Sequence, residues 1–220
     1  MADALTHYHR YCTSPCDEIT PGQYVKPLFY SDYRERHVGH SDLLLYTPTS
    51  WAGRAIARYT GGPGYNFSHV EAALWWHDTG RLMCVGYQEG VGGAARPLSQ
   101  ILEDCNGHVH VYGVETNLAQ LTCLREHLVG DLGKEYKWSS IILNILNIAV
   151  LSRYIIPEAL MLSLVKQASS STGAGICSQH IARSFRICSY PLVDKQDALV
   201  TPNDIAQSAL TRYKCTLVLN

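Results

Sequence analysis

The chain has almost no charge of either sign to spare. Eighteen Lys and Arg stand against nineteen Asp and Glu, a formal charge of −1, and only 17% of the residues are charged. Proteins that grip nucleic acid through its phosphates carry a basic field, so this balance argues against a nucleic-acid partner. The N-terminus, Met1-Ala-Asp-Ala-Leu-Thr-His7, lacks a basic stretch followed by an apolar run. That run marks a secretory signal, so the expectation is a cytoplasmic, reducing compartment with free thiols. A membrane span needs roughly 20 apolar residues with few breaks. The most apolar stretch, Ile141 to Val165, is broken by Arg153, Pro157 and Glu158. Two apolar helices hinged near Pro157 fit it better, either as a buried hairpin or as a flap making peripheral membrane contact. No internal repeat is apparent. The eight cysteines are scattered along 220 residues, too long a chain for a small disulfide scaffold. Cys12 and Cys16, near His7 and His9, match no standard zinc-knuckle spacing.

What is present is enough sequence for one domain with its own core. Residues 1–40 are polar and proline-punctuated and read as an N-terminal arm. The domain proper runs from 41 to 220, with an apolar helical insertion at about 141–165. Leu43 to Tyr46 is a short buried strand. Ser50 caps a helix that ends at the Gly61-Gly-Pro-Gly64 loop. His69 to Trp76 and Arg81 to Tyr87 form a hairpin around His77-Asp-Thr-Gly80. Leu98 to Asp104 is a short helix, His108 to Val114 alternates as a strand, and Asn117 caps a helix reaching Val129. Thr201-Pro-Asn-Asp204 opens another helix, and a last strand runs from Lys214 to Leu219. The class is α+β.

The chemistry concentrates at Cys177. Gly173-Ala-Gly-Ile-Cys177 leads straight into an apolar helix. Unpaired N–H groups and the helix dipole favour a thiolate there. The dipole is worth roughly 0.3–2 kcal/mol, at most about 1.5 pKa units. Starting from an ordinary thiol near 8.5, that leaves Cys177 mostly protonated or half ionised at neutral pH, so a histidine partner is required. Two histidines compete. His180 shares a helix surface with Cys177. His69 opens a strand in Phe67-Ser-His-Val-Glu71 after a glycine-rich loop. Spacing alone barely separates them.

Six segments occur in a telling order: Ser41-Asp-Leu-Leu-Leu-Tyr46, Phe67-Ser-His-Val-Glu71, Glu89-Gly-Val-Gly-Gly-Ala-Ala-Arg-Pro-Leu-Ser99, Leu132-Gly-Lys-Glu-Tyr-Lys-Trp138, Ile176-Cys-Ser-Gln-His-Ile-Ala182 and Thr201-Pro-Asn-Asp204. Together, over roughly residues 40–210, they resemble the circularly permuted papain-like cysteine hydrolases of the YiiX/YebB-like branch. That branch is related to NlpC-type cell-wall amidases and to lecithin:retinol acyltransferase-like enzymes. The resemblance implies a small antiparallel β-barrel-like sheet packed on helices, with permuted papain topology. It implies Cys177 as nucleophile and His69 as general base, and demotes His180. The orienting polar residue usually comes from the strand after the histidine strand, which points to Gln88 or Glu89. The chain departs from the pattern at Ser41, where the family often has Gly, and at Gln179, where the helix motif has Glu.

The expected function is hydrolysis of amide bonds (peptide, isopeptide or peptidoglycan-type) through a thioester, with no cofactor and no metal. The alternatives are a lipid acyl hydrolase or acyltransferase, favoured by the apolar 141–165 stretch, and a non-catalytic binding protein on the same fold. The expected partner is accordingly a peptide-like or lipid acyl substrate.

Overall fold

A computed structural model of the chain describes residues 24–25, 38–61, 65–88, 90–104, 108–135 and 177–218. Glu89, the stretch 141–165 and the Cys12/Cys16 group lie outside the described residues. The strands are β1 (Tyr24–Val25), β2 (Leu43–Tyr46), β3 (His69–Trp76), β4 (Arg81–Gln88), β5 (Gly92–Pro97), β6 (His108–Val114) and β7 (Thr211–Val218). The helices are α1 (Trp51–Thr60), α2 (Leu98–Asp104), α3 (Leu118–Gly130), α4 (Cys177–Ile187) and α5 (Pro202–Ala206), with a 3₁₀ turn at Asp197–Leu199.

The strands pair in the order β1-β7-β6-β2-β3-β4-β5. All neighbours are antiparallel except β1 and β7, which are parallel. Among the described residues the sheet is therefore open, ending at β1 on one side and β5 on the other, and not the barrel-like sheet expected. Closure needs the two outermost strands to meet, and here they are the two ends of the order. From the 1–40 stretch, Tyr24 and Val25 pair with Thr216 and Leu217.

Side chains alternate across a strand, and both faces of this sheet are apolar. Leu43, Leu45, Val70, Ala72, Leu74 and Val85 share one core with Leu124, Leu128, Ile181, Phe185 and Ile205 of α3, α4 and α5. Leu44, Tyr46, Ala73, Leu82, Cys84, Val109 and Val111 share the other with Leu98 and Ile101 of α2. All four residues of β2 are buried, which is the unbroken apolar pattern of a strand covered on both sides.

The helix starts carry the polar caps that the sequence led us to expect. Ser50 accepts from the N–H of Gly53 at 3.0 Å. Asn117 and Gln120 form a reciprocal capping box, as do Thr201 and Asp204. Asn203, inside the last of these, is fully buried. Its Oδ1 accepts from the N–H of Phe67 at 2.9 Å. Its Nδ2 donates to the carbonyl of Phe67 at 3.1 Å and to Thr60 Oγ1 at 2.7 Å. One side chain thus fixes the backbone two residues before His69. Truncating it orphans buried backbone groups, each costing about 1–3 kcal/mol. Asn203→Ala should therefore lower stability by about 2–3 kcal/mol in urea unfolding, with an unchanged m-value.

Cys123 of α3 and Cys188, which follows α4, form a disulfide across a sequence separation of 65 residues. The expectation of free thiols throughout fails at this pair. Cys84, Cys177 and Cys215 are buried thiols. No helix among the described residues is long and apolar enough to cross a membrane.

Candidate active site

His69 is the first residue of β3, so its ring stands at the end of the sheet. Tyr46 of β2 lies directly across from it in register, with the two ring centroids 5.1 Å apart. Two residues further along β3, on the same face, comes Glu71. Its side chain is fully buried, and Oε1 lies 3.4 Å from His69 Nε2. A buried carboxylate must be paired and hydrogen-bonded, and this one is. The Tyr46 hydroxyl donates to Oε2 at 2.5 Å. Gln88 Nε2 of β4 donates to Oε1 at 3.1 Å, and the Arg96 guanidinium of β5 does so at 3.3 Å. Four adjacent strands therefore hold one carboxylate, and that carboxylate holds the imidazole.

Cys177 is the first residue of α4 and arrives from the opposite face of the sheet, in the core with Val70 and Phe67. Its first turn is wedged against the 3₁₀ segment. Ser178 Oγ donates to the carbonyl of Val200 at 2.7 Å, and Gln179 Nε2 donates to that of Ala198 at 2.6 Å. Those bonds satisfy the polar side chains that the wedge buries. They also set the helix start, where the Cys177 sulfur hydrogen-bonds with the His69 imidazole and accepts from the N–H groups of Val70 and Ser178. With Nε2 on the carboxylate, Nδ1 is the ring nitrogen left for the sulfur.

The electrostatics follow from these contacts. Burial pushes the Cys177 thiol up. The charge and hydrogen bond of His69, with the two backbone N–H groups, outweigh that and hold it below the ordinary thiol value. Burial pulls His69 down, but the Cys177 charge and hydrogen bond, and then Glu71, push it up to about 10. Burial likewise raises Glu71, and the His69 hydrogen bond and charge, Arg96 and Tyr46 overturn this, so it stays ionised. Burial and the Glu71 charge push the Tyr46 phenol well up, which keeps it a donor. Between the two shifted values the pair exists as thiolate and imidazolium.

Of the residues singled out in the sequence, His69 and Cys177 are brought together. His180 is turned away from the sulfur. Its Nδ1 lies 3.1 Å from Asp131 Oδ2 and its ring packs edge-on against Tyr87 at 4.7 Å. That hydrogen bond holds the Asp131 carboxyl well below the usual carboxylate range, and Lys134 adds to it. Gln88 touches Glu71 rather than the imidazole. Among the described residues the polar partner of His69 is thus Glu71, from its own strand; Glu89 lies outside them. Two signals could have found it: a lone acid inside the apolar run His69–Trp76, and its two-residue spacing from the histidine.

Gly86 of β4 makes room for this carboxylate. A Cβ there would sit 2.9 Å from Glu71 Cγ and 3.3 Å from the carbonyl of Val70. Glu71 cannot swing aside without breaking its bonds to three strands. Gly86→Ala should cost about 1–3 kcal/mol in thermal or urea unfolding, the range for overpacking. It should also slow alkylation of Cys177 by displacing the carboxylate behind His69.

No protein-family model matches the chain, and no curated protein matches it.

Proposed function

We propose that the protein is a cysteine hydrolase that cleaves amide bonds through a thioester on Cys177. The observation that carries this reading is the Cys177–His69–Glu71 line: a thiol at a helix start, an imidazole hydrogen-bonded to it, and a buried carboxylate behind the imidazole. This is the nucleophile–base–orienter arrangement in which each group fixes the next. The base strand precedes the nucleophile helix in the chain, the reverse of papain, whose cysteine comes first. That order supports a permuted papain-like topology on the α+β frame.

The roles follow from the geometry. The Cys177 thiolate attacks the carbonyl carbon, forming the C–S bond and sending the π electrons to oxygen. The N–H of Cys177, at the start of α4, receives that oxyanion. His69 gives its proton to the leaving nitrogen as the C–N bond breaks. Water then attacks the thioester, His69 takes the water's proton, and the thiolate leaves with the electrons of the C–S bond. Glu71 keeps Nε2 occupied, so the ring presents one nitrogen to the sulfur throughout.

The test is to incubate the protein with a library of peptide, isopeptide and muropeptide amides and with phospholipid vesicles, quench in acid and weigh the intact chain. The reading expects a mass adduct of the acyl group on Cys177 from an amide substrate, absent in Cys177→Ala. An adduct from the vesicles alone would replace the amide reading with the lipid one. No adduct from any class, with slow uniform labelling of the thiols, would favour a binding protein.

A further inference from the structure

The far end of α4 carries a second cluster of chemistry, remote from the sulfur of Cys177. On α3, Cys123 and His127 are one turn apart and so lie on one side of that helix. Cys188 follows the last residue of α4. The sulfurs of Cys123 and Cys188 and a ring nitrogen of His127 all lie within 4.8 Å of one another. Cys188 is buried, Cys123 is half-buried and His127 is exposed. The disulfide accounts for two of these residues and leaves the third, an imidazole, facing the pair with no role in it.

We infer that Cys123, His127 and Cys188 form a binding site for a thiophilic divalent cation of the Zn²⁺ class, which the protein exchanges for the Cys123–Cys188 disulfide on oxidation. Two thiolates and an imidazole are a donor set for zinc, not for calcium or magnesium. Zinc–sulfur bonds of about 2.3 Å in a tetrahedron place two sulfurs about 3.8 Å apart. The Cα atoms of Cys123 and Cys188 are 5.6 Å apart, so side-chain rotation reaches that spacing without moving either helix. Exposure on the His127 side leaves the fourth position to water. Two thiolates neutralise the charge of the ion.

Either form ties the same two helices. Asp131 meets His180 at one end of the α3–α4 contact, and Cys123 meets Cys188 at the other. Each helix advances eight residues between the two contacts, about 12 Å at the helical rise, so α3 and α4 run antiparallel. The exchange therefore changes what links the helices while α4 still starts at Cys177.

Hydrogen peroxide is a sufficient oxidant, and the step balances. One thiolate attacks a peroxide oxygen, the O–O bond breaks, and hydroxide leaves behind a sulfenic acid. The second thiolate attacks that sulfur, the S–S bond forms, and a second hydroxide leaves. Two protons from solvent convert the hydroxides to water. The sulfurs have lost two electrons to peroxide, and Zn²⁺ departs unchanged.

The experiment uses the full chain, reduced with a phosphine, loaded with zinc, desalted and assayed for bound metal by plasma mass spectrometry. The wild type should hold one zinc more than Cys123→Ser/Cys188→Ser, and Cys177→Ala should match the wild type. His127→Ala, a change at an exposed position, should bind at least tenfold more weakly in competition with a chromophoric chelator. Peroxide should release that one zinc in step with a Cys123–Cys188 disulfide seen by peptide mapping. Equal zinc in the wild type and the double serine variant, or His127→Ala with unchanged affinity, would overturn the inference. Should the double variant not fold, the His127→Ala comparison decides alone. None of these readouts depends on hydrolase activity.

Discussion

Replacing His69 with alanine should cut turnover on the order of 1,000-fold and should remove the high-pH limb of the rate profile. The imidazole acts twice. It holds the thiol ionised, and it carries the proton to the leaving nitrogen. Without it, Cys177 keeps the desolvation that raises a buried thiol and loses the charge that lowers it. The thiolate content at neutral pH therefore falls. The more basic thiolate is intrinsically the better nucleophile, which offsets part of that fall. Alkylation by iodoacetamide should therefore slow by less than turnover does at neutral pH. The larger loss in turnover belongs to proton transfer, whose usual worth is about 10²–10⁴-fold. The two readouts separate the two roles. In the wild type, both rates rise as Cys177 loses its proton below the ordinary thiol range. Turnover alone falls again as His69 loses its proton near 10. In His69→Ala the rising limb should move up to the range of a buried thiol, and the falling limb should vanish.

Glu71→Gln should reduce kcat by up to about 10⁴-fold with little change in KM, the scale seen when a carboxylate behind a catalytic imidazole becomes an amide. Glutamine keeps the shape and loses the charge. The negative charge raises His69, so its removal moves the falling limb of the pH profile to lower pH. The rising limb moves the other way, because a less readily charged imidazole stabilises the thiolate less. A residue that only packed would narrow neither side. The substitution also leaves the Arg96 guanidinium without its anion, at a cost of about 1–3 kcal/mol. Urea unfolding measures that cost separately. If the pH limbs stay in place while stability falls, Glu71 acts on the fold and not on the imidazole.

Much of the frame can be read directly from residues. His77-Asp-Thr-Gly80 marks the β3–β4 turn, and Ser50, Asn117 and Thr201 announce their helices through side chains that cap locally. Cys177 is legible for the same reason: a thiol after a glycine-rich turn at a helix start is a local pattern. What was hidden depends on contacts far along the chain. β5 is built from Gly92-Gly-Ala-Ala-Arg-Pro97, residues of low strand propensity, and exists because β4 offers it an edge. Its proline sits where an edge strand tolerates one. β7 begins at Thr211, earlier than its apolar run suggests, since Tyr213 and Thr211 pair with Tyr112 and Val114 of β6. Open ends versus closure, and the pairing of Cys123 with Cys188, are settled by which distant segments meet.

Glu71 is the most instructive omission. Inside His-Val-Glu-Ala-Ala-Leu-Trp-Trp it looks like an isolated acid in a buried strand, and the family pattern directs attention to the next strand. Its place becomes intelligible only with Tyr46, Gln88 and Arg96 around it, three donors from three other strands. The choice between His69 and His180 is of the same kind. Both are within plausible reach of Cys177 by sequence, and only the packing of α4 against α3 gives His180 to Asp131.

The proposed chemistry needs a thiolate–imidazolium pair, and the far-ultraviolet absorbance of the thiolate reports it directly. The pH titration of the wild type, after subtraction of Cys177→Ala, should show one thiolate forming below the range of an ordinary thiol and no such step in His69→Ala. A Cys177 that stays protonated until the ordinary thiol range in the wild type, with His69→Ala unchanged, would contradict it.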